Sequence, residues 1–467
     1  MRKITNLKTY MTLTPSELAD TCLSCPECGR EHKIPIKIVQ SGDNLIPLIP
    51  EIIQDILGKA PGQIGVIFDR HIEEKLDGLF FEPFRDLSLP FQRIPLGSCG
   101  QLLDASVDLG DETAERLPQN LDILLGVGSG VICDLTKWIA TKSNLPFILI
   151  GTAASMNAYT SITGTMTEKN VKTTKWLKPA SAVLLDSTLL ASAPCDMTWS
   201  GIGDILARNV SNADWKLAQL LRDTYFCPVP FQMMGPFQEG FLSQIERLGQ
   251  SDPNAMKALA DAVLVSGYSM TILDGETSPS SGSEHVISHF FDFQHEIFDL
   301  AKNFHGTQVG IGTIIMSTAY DLLHEIDPSE LDINEIQQRR PSQAEMQLEH
   351  SRIFGAYVNL FDRVVANKWI SDANYRDYLQ NIIQSWDRIW DELNPYLMPG
   401  NDVRRALEAS GAVTKLEGVH RTNEDALQAL LYGSHYRQRY TILDLFWELG
   451  LFPSYAQNIL ERSQVLN

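Results

Sequence analysis

Three histidines and one aspartate carry side chains that commonly bind metal ions. His285 and His289 lie four residues apart in Ser-Glu-His-Val-Ile-Ser-His, so both imidazoles would face one side of a helix. His305 follows in Phe-His-Gly-Thr-Gln-Val-Gly, and Asp204 precedes them in Gly-Ile-Gly-Asp-Ile-Leu-Ala. One carboxylate and two imidazoles are a common ligand set for a catalytic divalent metal. A single histidine is more often a helix-surface or core residue, so spacing alone leaves this metal site a hypothesis.

A glycine cluster at residues 126–130, Gly-Val-Gly-Ser-Gly, lies between a strand pattern and a helix pattern. Such a turn lets backbone N–H groups approach a phosphate at the start of a helix. The spacing differs from the usual dinucleotide fingerprint, so a plain tight turn is an equal alternative. Asp69, at the end of an earlier strand pattern, could accept hydrogen bonds from a ribose and favour NAD over NADP. Its basic neighbours Arg70 and His71 weaken that preference.

The N-terminal part contains cysteines and a histidine at close spacing. Cys22, Cys25, Cys28 and His32 carry thiol and imidazole groups, which are zinc ligands. The two ligand pairs of an isolated zinc knuckle normally lie farther apart, and this favours a segment without metal.

Residues 168–178 carry four lysines and one glutamate. A solvated hairpin is the simpler interpretation. The alternative is a cationic rim for a substrate phosphate, because a lysine ammonium binds phosphate as a point charge. Lys175 is the candidate for that role.

The elements that would position these residues follow from the apolar pattern. Short apolar runs predict four strands at 62–68, 121–127, 145–151 and 181–186, with a helix from Gly130 to Lys142. This alternation indicates a mostly parallel sheet covered on both faces. Beyond about residue 194 the apolar residues recur at helical spacing. We therefore expect an α/β domain over 1–195 and an all-α domain over 196–467.

The composition excludes several classes of function. The 467 residues include 38 basic and 58 acidic side chains, a net charge of −20, which argues against general binding of nucleic acid or anionic membranes. No apolar run approaches the roughly 18 residues that a membrane span needs. Seven cysteines do not suggest a disulfide framework, and the N-terminus lacks the apolar core of a signal peptide. We expect a cytoplasmic protein without membrane insertion.

The order of the motifs adds a resemblance to a known family. The motifs are GVGSGVICDLTK (126–137), TAASMNAYTS (152–161), GIGDILARNVSNADWKLA (201–218), SGSEHVISH (281–289), FHGTQVGIGT (304–313) and YRQRYTILDLFWELGLF (436–452). The order of these motifs along the chain resembles that of the iron-containing alcohol dehydrogenase/dehydroquinate synthase-like superfamily. Within it, the chain is most similar to sn-glycerol-1-phosphate dehydrogenases of the AraM type.

The resemblance implies a fold and a role for individual residues. The fold would be a Rossmann-like N-terminal domain followed by a helical C-terminal domain, as in dehydroquinate synthase. The implied metal ligands are Asp204, His285 and His305, with Asp204 and His289 also on the substrate side and His289 relaying a proton. The implied cofactor contacts are Gly128, Ser129 and Gly130 at the pyrophosphate, completed by Asp134 and Lys137, and a second stretch of Thr152, Ala153, Ala154, Ser155 and Ser161.

The chain also departs from the family pattern. Gly151-Thr152 replaces the usual Pro-Thr, and Asn157 stands where the family has a substrate-contacting aspartate. An amide can hydrogen-bond a hydroxyl group, but it cannot accept a proton as a base. Asn157 therefore puts the pH dependence, the choice of polyol phosphate, or the activity itself in question.

The resulting expectation is reversible reduction of dihydroxyacetone phosphate, a small phosphorylated three-carbon substrate, to sn-glycerol 1-phosphate in phospholipid metabolism. NAD or NADP and one divalent metal would be the cofactors, with zinc preferred and nickel or iron compatible. We also expect a homo-oligomer, dimeric or higher. The alternatives are a glycerol or other polyol dehydrogenase, a dehydroquinate synthase-like sugar-phosphate cyclase, which the 436–452 motif disfavours, and a catalytically silent relative.

Overall fold

A computed structural model describes residues 1–98, 103–168, 171–298, 300–301 and 303–467. Cys99 and Lys169, which the sequence analysis counted, lie outside these residues. The chain divides into two compact units. The first comprises Met1–Ile205 and Cys227–Thr277, and the second comprises Leu206–Phe226 and Ser278–Asn467.

All strands of the described residues belong to the first unit. In chain order they are β1 (Arg2–Ile4), β2 (Thr21–Ser24), β3 (Glu31–Lys33), β4 (Ile38–Gly42), β5 (Ile64–Asp69), β6 (Phe91–Leu96), β7 (Ile123–Gly128), β8 (Phe147–Gly151), β9 (Thr163–Glu168), β10 (Val171–Trp176) and β11 (Ala182–Asp186). Strands β1–β3 form a small N-terminal sheet, and β9 and β10 form an antiparallel hairpin.

The principal sheet has six strands in the order β4-β11-β8-β7-β5-β6, and every neighbouring pair is parallel. The four predicted strands are its inner members β5, β7, β8 and β11, so the prediction of a parallel sheet is confirmed. Apart from the aspartates that end β5 and β11, their residues are apolar or glycine, because both faces of the sheet are covered. The two strands that sequence reasoning missed, β4 and β6, are the partly exposed edges, where burial imposes a weaker pattern.

The first unit also contains helices. They are α1 (Leu7–Tyr10), α2 (Pro15–Leu18), α3 (Ile49–Leu57), α4 (Glu73–Leu76), α5 (Glu82–Asp86), α6 (Val107–Glu115), α7 (Gly130–Ser143), α8 (Ser187–Ala191) and α9 (Cys195–Leu206). After α10 (Arg208–Arg222), which belongs to the second unit, come α11 (Val229–Leu242), α12 (Ile245–Gly249) and α13 (Pro253–Thr271).

Helix α13 joins the sheet unit through hydrogen bonds to the segment after β8. The Thr160 hydroxyl donates to the Leu264 carbonyl at 2.6 Å, and the Thr271 hydroxyl donates to the Thr160 carbonyl at 2.7 Å. The compact units therefore divide the chain differently from the predicted boundary at residue 195. Periodicity reports that a segment is helical, whereas packing decides which core the helix joins.

The described residues of the second unit form helices and connecting loops but no strand, as expected for the C-terminal part. Besides α10 its helices are α14 (Ser283–Phe298), α15 (His305–His324), α16 (Ile333–Arg339), α17 (Gln343–Phe354), α18 (Val358–Lys368), α19 (Asp372–Gln384), α20 (Trp386–Leu393), α21 (Gly400–Ala409), α22 (Asn423–Tyr436), α23 (Ile442–Glu448) and α24 (Ala456–Ser463). The prediction of an α/β part followed by a helical part is confirmed. Among the helices of the described residues, none is long and apolar enough to cross a membrane.

The strand β7 and the helix α7 pack closely at a glycine. A Cβ atom on Gly126 would lie 2.3 Å from Oγ1 and 2.8 Å from Cβ of the buried Thr136. A Cβ atom on Gly130, four residues later, would meet only Met156 Cγ at 3.6 Å, an ordinary contact. A side chain at Gly126 would therefore clash with Thr136, whereas Gly130, in the same motif, has room for a methyl group.

We expect Gly126→Ala to lower the free energy of unfolding by about 1–3 kcal/mol, because α7 must shift to admit the methyl group. Urea denaturation followed by circular dichroism measures the effect. Gly130→Ala is the matched control and should stay within about 0.5 kcal/mol of the wild type. Equal stability of the two variants would contradict the described packing of α7 on β7.

Candidate nucleotide-binding loop and histidine cluster

The turn from β7 into α7 has the geometry of an anion-binding helix start. The turn has no room for a side chain at Gly128, because a Cβ atom there would lie 2.5 Å from Ile132 Cβ. The Thr152 N–H donates to the Gly128 carbonyl at 3.1 Å and ties this turn to the end of β8. The Ser129 side chain, at the N-cap, forms no capping hydrogen bond within the described residues. The turn therefore fits the pyrophosphate of a dinucleotide, which would interact with the first N–H groups of α7.

Asp69 lies at the end of the neighbouring strand. The chain runs from β5 outward to β6 and then returns to β7 on the other side of β5, so the strand order reverses between β5 and β7. Ligands of parallel sheets bind at the carboxyl ends of the strands at such a point. Asp69 Oδ1 accepts a hydrogen bond from the His71 N–H at 2.9 Å. The position suits a ribose contact, which stays a prediction.

Asp134 and Lys137 lie beneath the loop, buried in the first unit. The Lys137 ammonium donates to the Ala158 carbonyl and, at 2.9 Å, to the Thr163 carbonyl. Asp134 Oδ2 accepts from the Thr165 N–H at 3.1 Å. These bonds fasten the chain after β8 to α7. Their contribution to cofactor binding stays a prediction, and the described bonds indicate a supporting role.

The remaining cofactor candidates follow β8 in a segment held by its own polar groups. The Tyr159 hydroxyl donates to the Ala153 carbonyl at 2.7 Å, and the Ser155 carbonyl accepts from the Ser200 hydroxyl at 3.1 Å. A Cβ atom on Gly201 of α9 would lie 1.7 Å from the Ala154 carbonyl oxygen, so α9 touches this backbone directly. Tight packing therefore fixes the path of the segment.

Ser161 and Thr152 complete this second stretch. The Ser161 hydroxyl accepts from the Thr163 N–H at 3.1 Å and lies 2.8 Å from the Thr163 hydroxyl. Ser161 is buried, whereas Thr152 is partly exposed. Both stay candidates, and Thr152 is the more accessible of the two.

Asn157 faces α13 within the first unit. Its Nδ2 donates to the Ser266 hydroxyl at 3.1 Å. A Cβ atom on Gly267 would lie 2.3 Å from the Asn157 carbonyl oxygen, so the helix approaches the backbone of residue 157 closely. The amide is thus held in place, and an aspartate at this position would have Ser266 as a hydrogen-bond donor.

Lys175 lies on β10 of the hairpin. Its ammonium pairs with Glu168 Oε2 at 2.6 Å, and both side chains are partly exposed. The described partner is thus a carboxylate on the adjacent strand, as expected for a solvated hairpin. The assignment of Lys175 to a substrate phosphate stays a prediction.

Three histidines come together in the second unit. The ring centroids of His285 and His305 are 5.1 Å apart, those of His289 and His305 are 5.6 Å apart, and those of His285 and His289 are 6.1 Å apart. His285 and His289 project from α14, and His305 is the first residue of α15. The i,i+4 spacing on α14 therefore places two imidazoles beside a third from the next helix.

Glu284 orients the imidazole of His285. Its Oε1 accepts from His285 Nδ1 at 2.8 Å and from the Gly282 N–H at 2.7 Å. A carboxylate bound to Nδ1–H fixes the tautomer in which Nε2 carries the lone pair, as in many metal sites. The imidazole nitrogens of this cluster are thus suitable ligands for a divalent metal. Sequence reasoning missed Glu284, although its place directly before His285 was a usable signal.

Asp214 supports the start of α14 from inside the unit. Its carboxylate accepts from the Ser283 N–H at 2.6 Å, the Tyr320 hydroxyl at 2.7 Å and the Ile442 N–H at 2.8 Å. Burial, and second the charge of Glu284, raise the pKa of Asp214 to about 7. Asp214 joins three segments of the second unit, a role that sequence reasoning did not find.

His289 lies at the accessible side of the cluster. Its side chain keeps 30 % exposure, and its Nδ1 lies 3.9 Å from Asp292 Oδ2. Loss of hydration, and second the charge of Arg437, lower the pKa of His289 well below its ordinary value. A neutral imidazole in contact with solvent suits a proton relay.

Asp204 belongs to the first unit, where it lies near the end of α9 with 4 % exposure. The histidines that the sequence analysis combined with it are brought together in the second unit. The assignment of Asp204 as the third metal ligand stays a prediction.

We expect Asp134→Asn to change how the stability of the cofactor-free protein depends on pH. Burial raises the pKa of Asp134 from 3.8 to about 6, against the lowering effect of Lys137. The folded protein thus holds a proton that the unfolded chain has lost, so its free energy of unfolding falls as pH rises from about 4 to 6. Asparagine is uncharged and can accept the same bond from Thr165. The free energy of unfolding of the variant, relative to that of the wild type, should therefore rise by on the order of 2–3 kcal/mol across this pH window.

Urea unfolding at several pH values between 4.5 and 7.5 measures this difference. The exposed Asp108→Asn variant on α6 serves as the control and should follow the wild-type profile. Parallel profiles for Asp134→Asn and wild type would show that this carboxyl group is not perturbed.

Comparison with known proteins agrees with the described features. Residues 86–194 match the family described as iron-containing alcohol dehydrogenase. The chain is 30 % identical over 280 residues to the Pyrococcus horikoshii protein named glycerol-1-phosphate dehydrogenase, NAD(P)+, covering 59 % of this chain and 76 % of that protein. It is 28 % identical over 296 residues to the Halalkalibacterium halodurans protein of the same name, covering 63 % and 73 %.

Solved structures share the fold. Glycerol dehydrogenase from Schizosaccharomyces pombe superimposes with a TM-score of 0.55 at 15 % identity, covering 92 % of each chain. Sulfoacetaldehyde reductase from Bifidobacterium kashiwanohense, in complex with NAD+, gives a TM-score of 0.56 at 13 % identity, covering 91 % of this chain and 98 % of that chain. The resemblance inferred from the motif order is confirmed, and the chain belongs to the iron-containing alcohol dehydrogenase family.

Proposed function

We propose that this protein is a metal-dependent oxidoreductase that reversibly reduces dihydroxyacetone phosphate to sn-glycerol 1-phosphate with a nicotinamide cofactor. The observation that carries the proposal is the paired imidazoles of His285 and His305, with His285 oriented by Glu284, in a chain whose relatives bear that enzyme's name. The dinucleotide-compatible turn after β7 supports the cofactor.

The metal ligands in this proposal are Asp204, His285 and His305. When bound, a divalent metal polarises the substrate carbonyl as a Lewis acid. Glu284 keeps the Nε2 atom of His285 unprotonated for that purpose, since its carboxylate holds the proton on Nδ1. Zinc is the metal we propose, with nickel and iron as alternatives that the same ligand types accept.

The cofactor would bind with its pyrophosphate at the start of α7. Ser129 and Gly130 present backbone N–H groups there, and Gly128 permits the close approach. Asp69 would accept hydrogen bonds from the adenosine ribose and repel a 2′-phosphate, which favours NADH over NADPH. Asp134 and Lys137 hold the chain after β8 against α7, and Thr152, Ser155 and Ser161 would line the second side of the cofactor.

His289 is the proposed proton relay. Reduction of a ketone by hydride leaves an alkoxide that must gain a proton. The lowered pKa of His289 keeps its imidazole neutral near pH 7, and its exposed edge allows exchange with solvent. In the oxidation direction the same neutral nitrogen can accept the proton of the alcohol.

Lys175 and Asn157 are the proposed contacts to the rest of the substrate. A phosphate at Lys175 would replace Glu168 as the partner of the ammonium, exchanging one anion for another. The Asn157 amide would hydrogen-bond a hydroxyl group of the substrate. We further propose that the enzyme acts in the cytoplasm as a homo-oligomer, dimeric or higher.

We expect the zinc-reconstituted protein to oxidise NADH with dihydroxyacetone phosphate and to act more weakly on dihydroxyacetone. Absorbance of the reduced cofactor follows the reaction, and sn-glycerol 1-phosphate and glycerol test the reverse direction. His285→Ala and His305→Ala should reduce turnover to background and weaken metal binding, because each removes one ligand.

The matched control is His324→Ala, since His324 is exposed in the second unit and packs against Trp390 with ring centroids 4.3 Å apart. It should keep full activity and metal content. Full activity in either ligand variant would overturn the proposed metal site. Turnover of dihydroxyacetone and glycerol alone would instead indicate a polyol dehydrogenase.

We expect Asn157→Asp to raise kcat/KM for dihydroxyacetone phosphate roughly tenfold. A charged acceptor binds a hydroxyl about 1–1.5 kcal/mol more strongly than a neutral one, and 1.36 kcal/mol corresponds to a factor of ten. Steady-state kinetics at several pH values measures the change. Asn144→Asp, at the exposed end of α7, is the control. Unchanged kinetics would show that residue 157 does not contact the substrate.

A further inference from the structure

We propose that Cys25, Cys28, His32 and Cys227 bind a structural zinc ion in the first unit. These residues share no member with the histidine cluster of the second unit. One ligand atom from each of them, three Sγ atoms and one imidazole nitrogen, lies within 4.8 Å of the others. Three thiolates and one imidazole are a common ligand set for structural zinc.

The distances between the ligand atoms fit a tetrahedral ion. With Zn–S near 2.3 Å and Zn–N near 2.0 Å, tetrahedral geometry places two sulfurs about 3.8 Å apart and a sulfur and a nitrogen about 3.5 Å apart. Cys25 Sγ and Cys227 Sγ are 3.9 Å apart. His32 Nε2 lies 3.5 Å from Cys28 Sγ and 3.4 Å from Cys227 Sγ. A disulfide needs sulfurs about 2.05 Å apart, so the pair of cysteines is not in disulfide geometry.

The backbone forms a compact turn around the first two cysteines. The Cys25 N–H donates to the Arg30 carbonyl at 2.9 Å, and the Gly29 N–H donates to the Cys25 carbonyl at 3.0 Å. Gly29 has φ +73°, a conformation that side chains disfavour. This turn carries Cys25 and Cys28 at the C-x-x-C spacing of zinc sites and returns the chain into β3, where His32 lies.

The atoms around the four ligands are also arranged as in a metal site. His32 Nδ1 lies 2.9 Å from the Ile272 carbonyl, to which it donates when Nε2 carries the lone pair. Such a bond holds the imidazole ligand in position.

Strand register explains which cysteines take part. Leu23 pairs with His32 and Cys22 pairs with Lys33 across β2 and β3. Because side chains alternate along a strand, Leu23 shares the face of His32, and Cys22 points to the other face. The sequence suggested Cys22 with Cys25, Cys28 and His32, whereas Cys227 occupies the fourth position. Cys227 lies two residues before the start of α11 and is buried.

The proposed ion would join parts of the chain that are far apart in sequence. Cys227 and His32 are separated by 195 residues. A metal bridge between them constrains the unfolded chain over a long loop and links the β2–β3 turn to α11. The site is thus a structural crosslink within the first unit.

Cobalt substitution tests the proposal. We expect the cobalt(II)-loaded full-length protein to show thiolate-to-metal charge-transfer absorption, which a site of aspartate and histidines cannot produce. The His285→Ala/His305→Ala double variant should keep this absorption and about one zinc per chain. Cys28→Ser and Cys227→Ser, made in that background, should lose both.

Cys22→Ser and Cys133→Ser are the matched controls, because both thiols are buried in the first unit but lie outside the cluster. They should keep the absorption and the metal. If the ligand variants do not fold, the spectrum of the double variant decides the question. Its lack of charge-transfer absorption, or a Cys25–Cys227 disulfide found by mass spectrometry in the freshly purified protein, overturns the proposal. Wild-type protein that keeps the cobalt–thiolate spectrum but has no activity on dihydroxyacetone phosphate would reject the proposed function and leave this site intact.

Discussion

Close approach of backbones at positions without a Cβ atom is the constraint on which the arrangement of both units depends. In the first unit, Gly126 lets α7 lie against β7, and Gly201 brings α9 onto the backbone of Ala154. In the second unit, a Cβ atom on Gly312 of α15 would lie 2.5 Å from the Glu284 carbonyl of α14. Protein interiors transmit small shifts because they are densely packed. The loops and helices that carry the candidate site are therefore held by contacts that a single methyl group would disturb.

Buried charge is the second element that organises the candidate site. Lys137 donates to two carbonyls beneath the nucleotide-compatible turn, and Asp214 accepts from three donors behind the histidine cluster. A charge removed from water is costly unless hydrogen bonds replace the lost hydration. These two residues therefore fix the backbone around them, and this fixed backbone positions the side chains that would bind cofactor and metal. A residue in a functional motif can therefore hold the backbone in place without contacting a ligand.

The sequence predicted the parts of the fold that burial makes uniform. The inner strands β5, β7, β8 and β11 are apolar up to their last residue because both faces of the sheet are covered, and their pattern was sufficient to identify them. The edges β4 and β6 are half exposed, so their mixed composition gave no clear signal. At the site, the His285–His289 spacing predicted a shared helix face. It could not reveal that Glu284 would turn inward to His285, because that depends on the packing of α14 against its neighbours.

The sequence by itself determined the residue types, the motif order and the family, since each is encoded along the chain. It also supplied the candidates for cofactor, metal and substrate contacts. Only the tertiary structure decided which distant residues become neighbours. Cys227 joins Cys25, Cys28 and His32, and α13 joins the sheet unit rather than the helices that follow it. The physical reason is that local periodicity reflects short-range geometry, whereas contacts across nearly two hundred residues arise when separate elements bury their surfaces together.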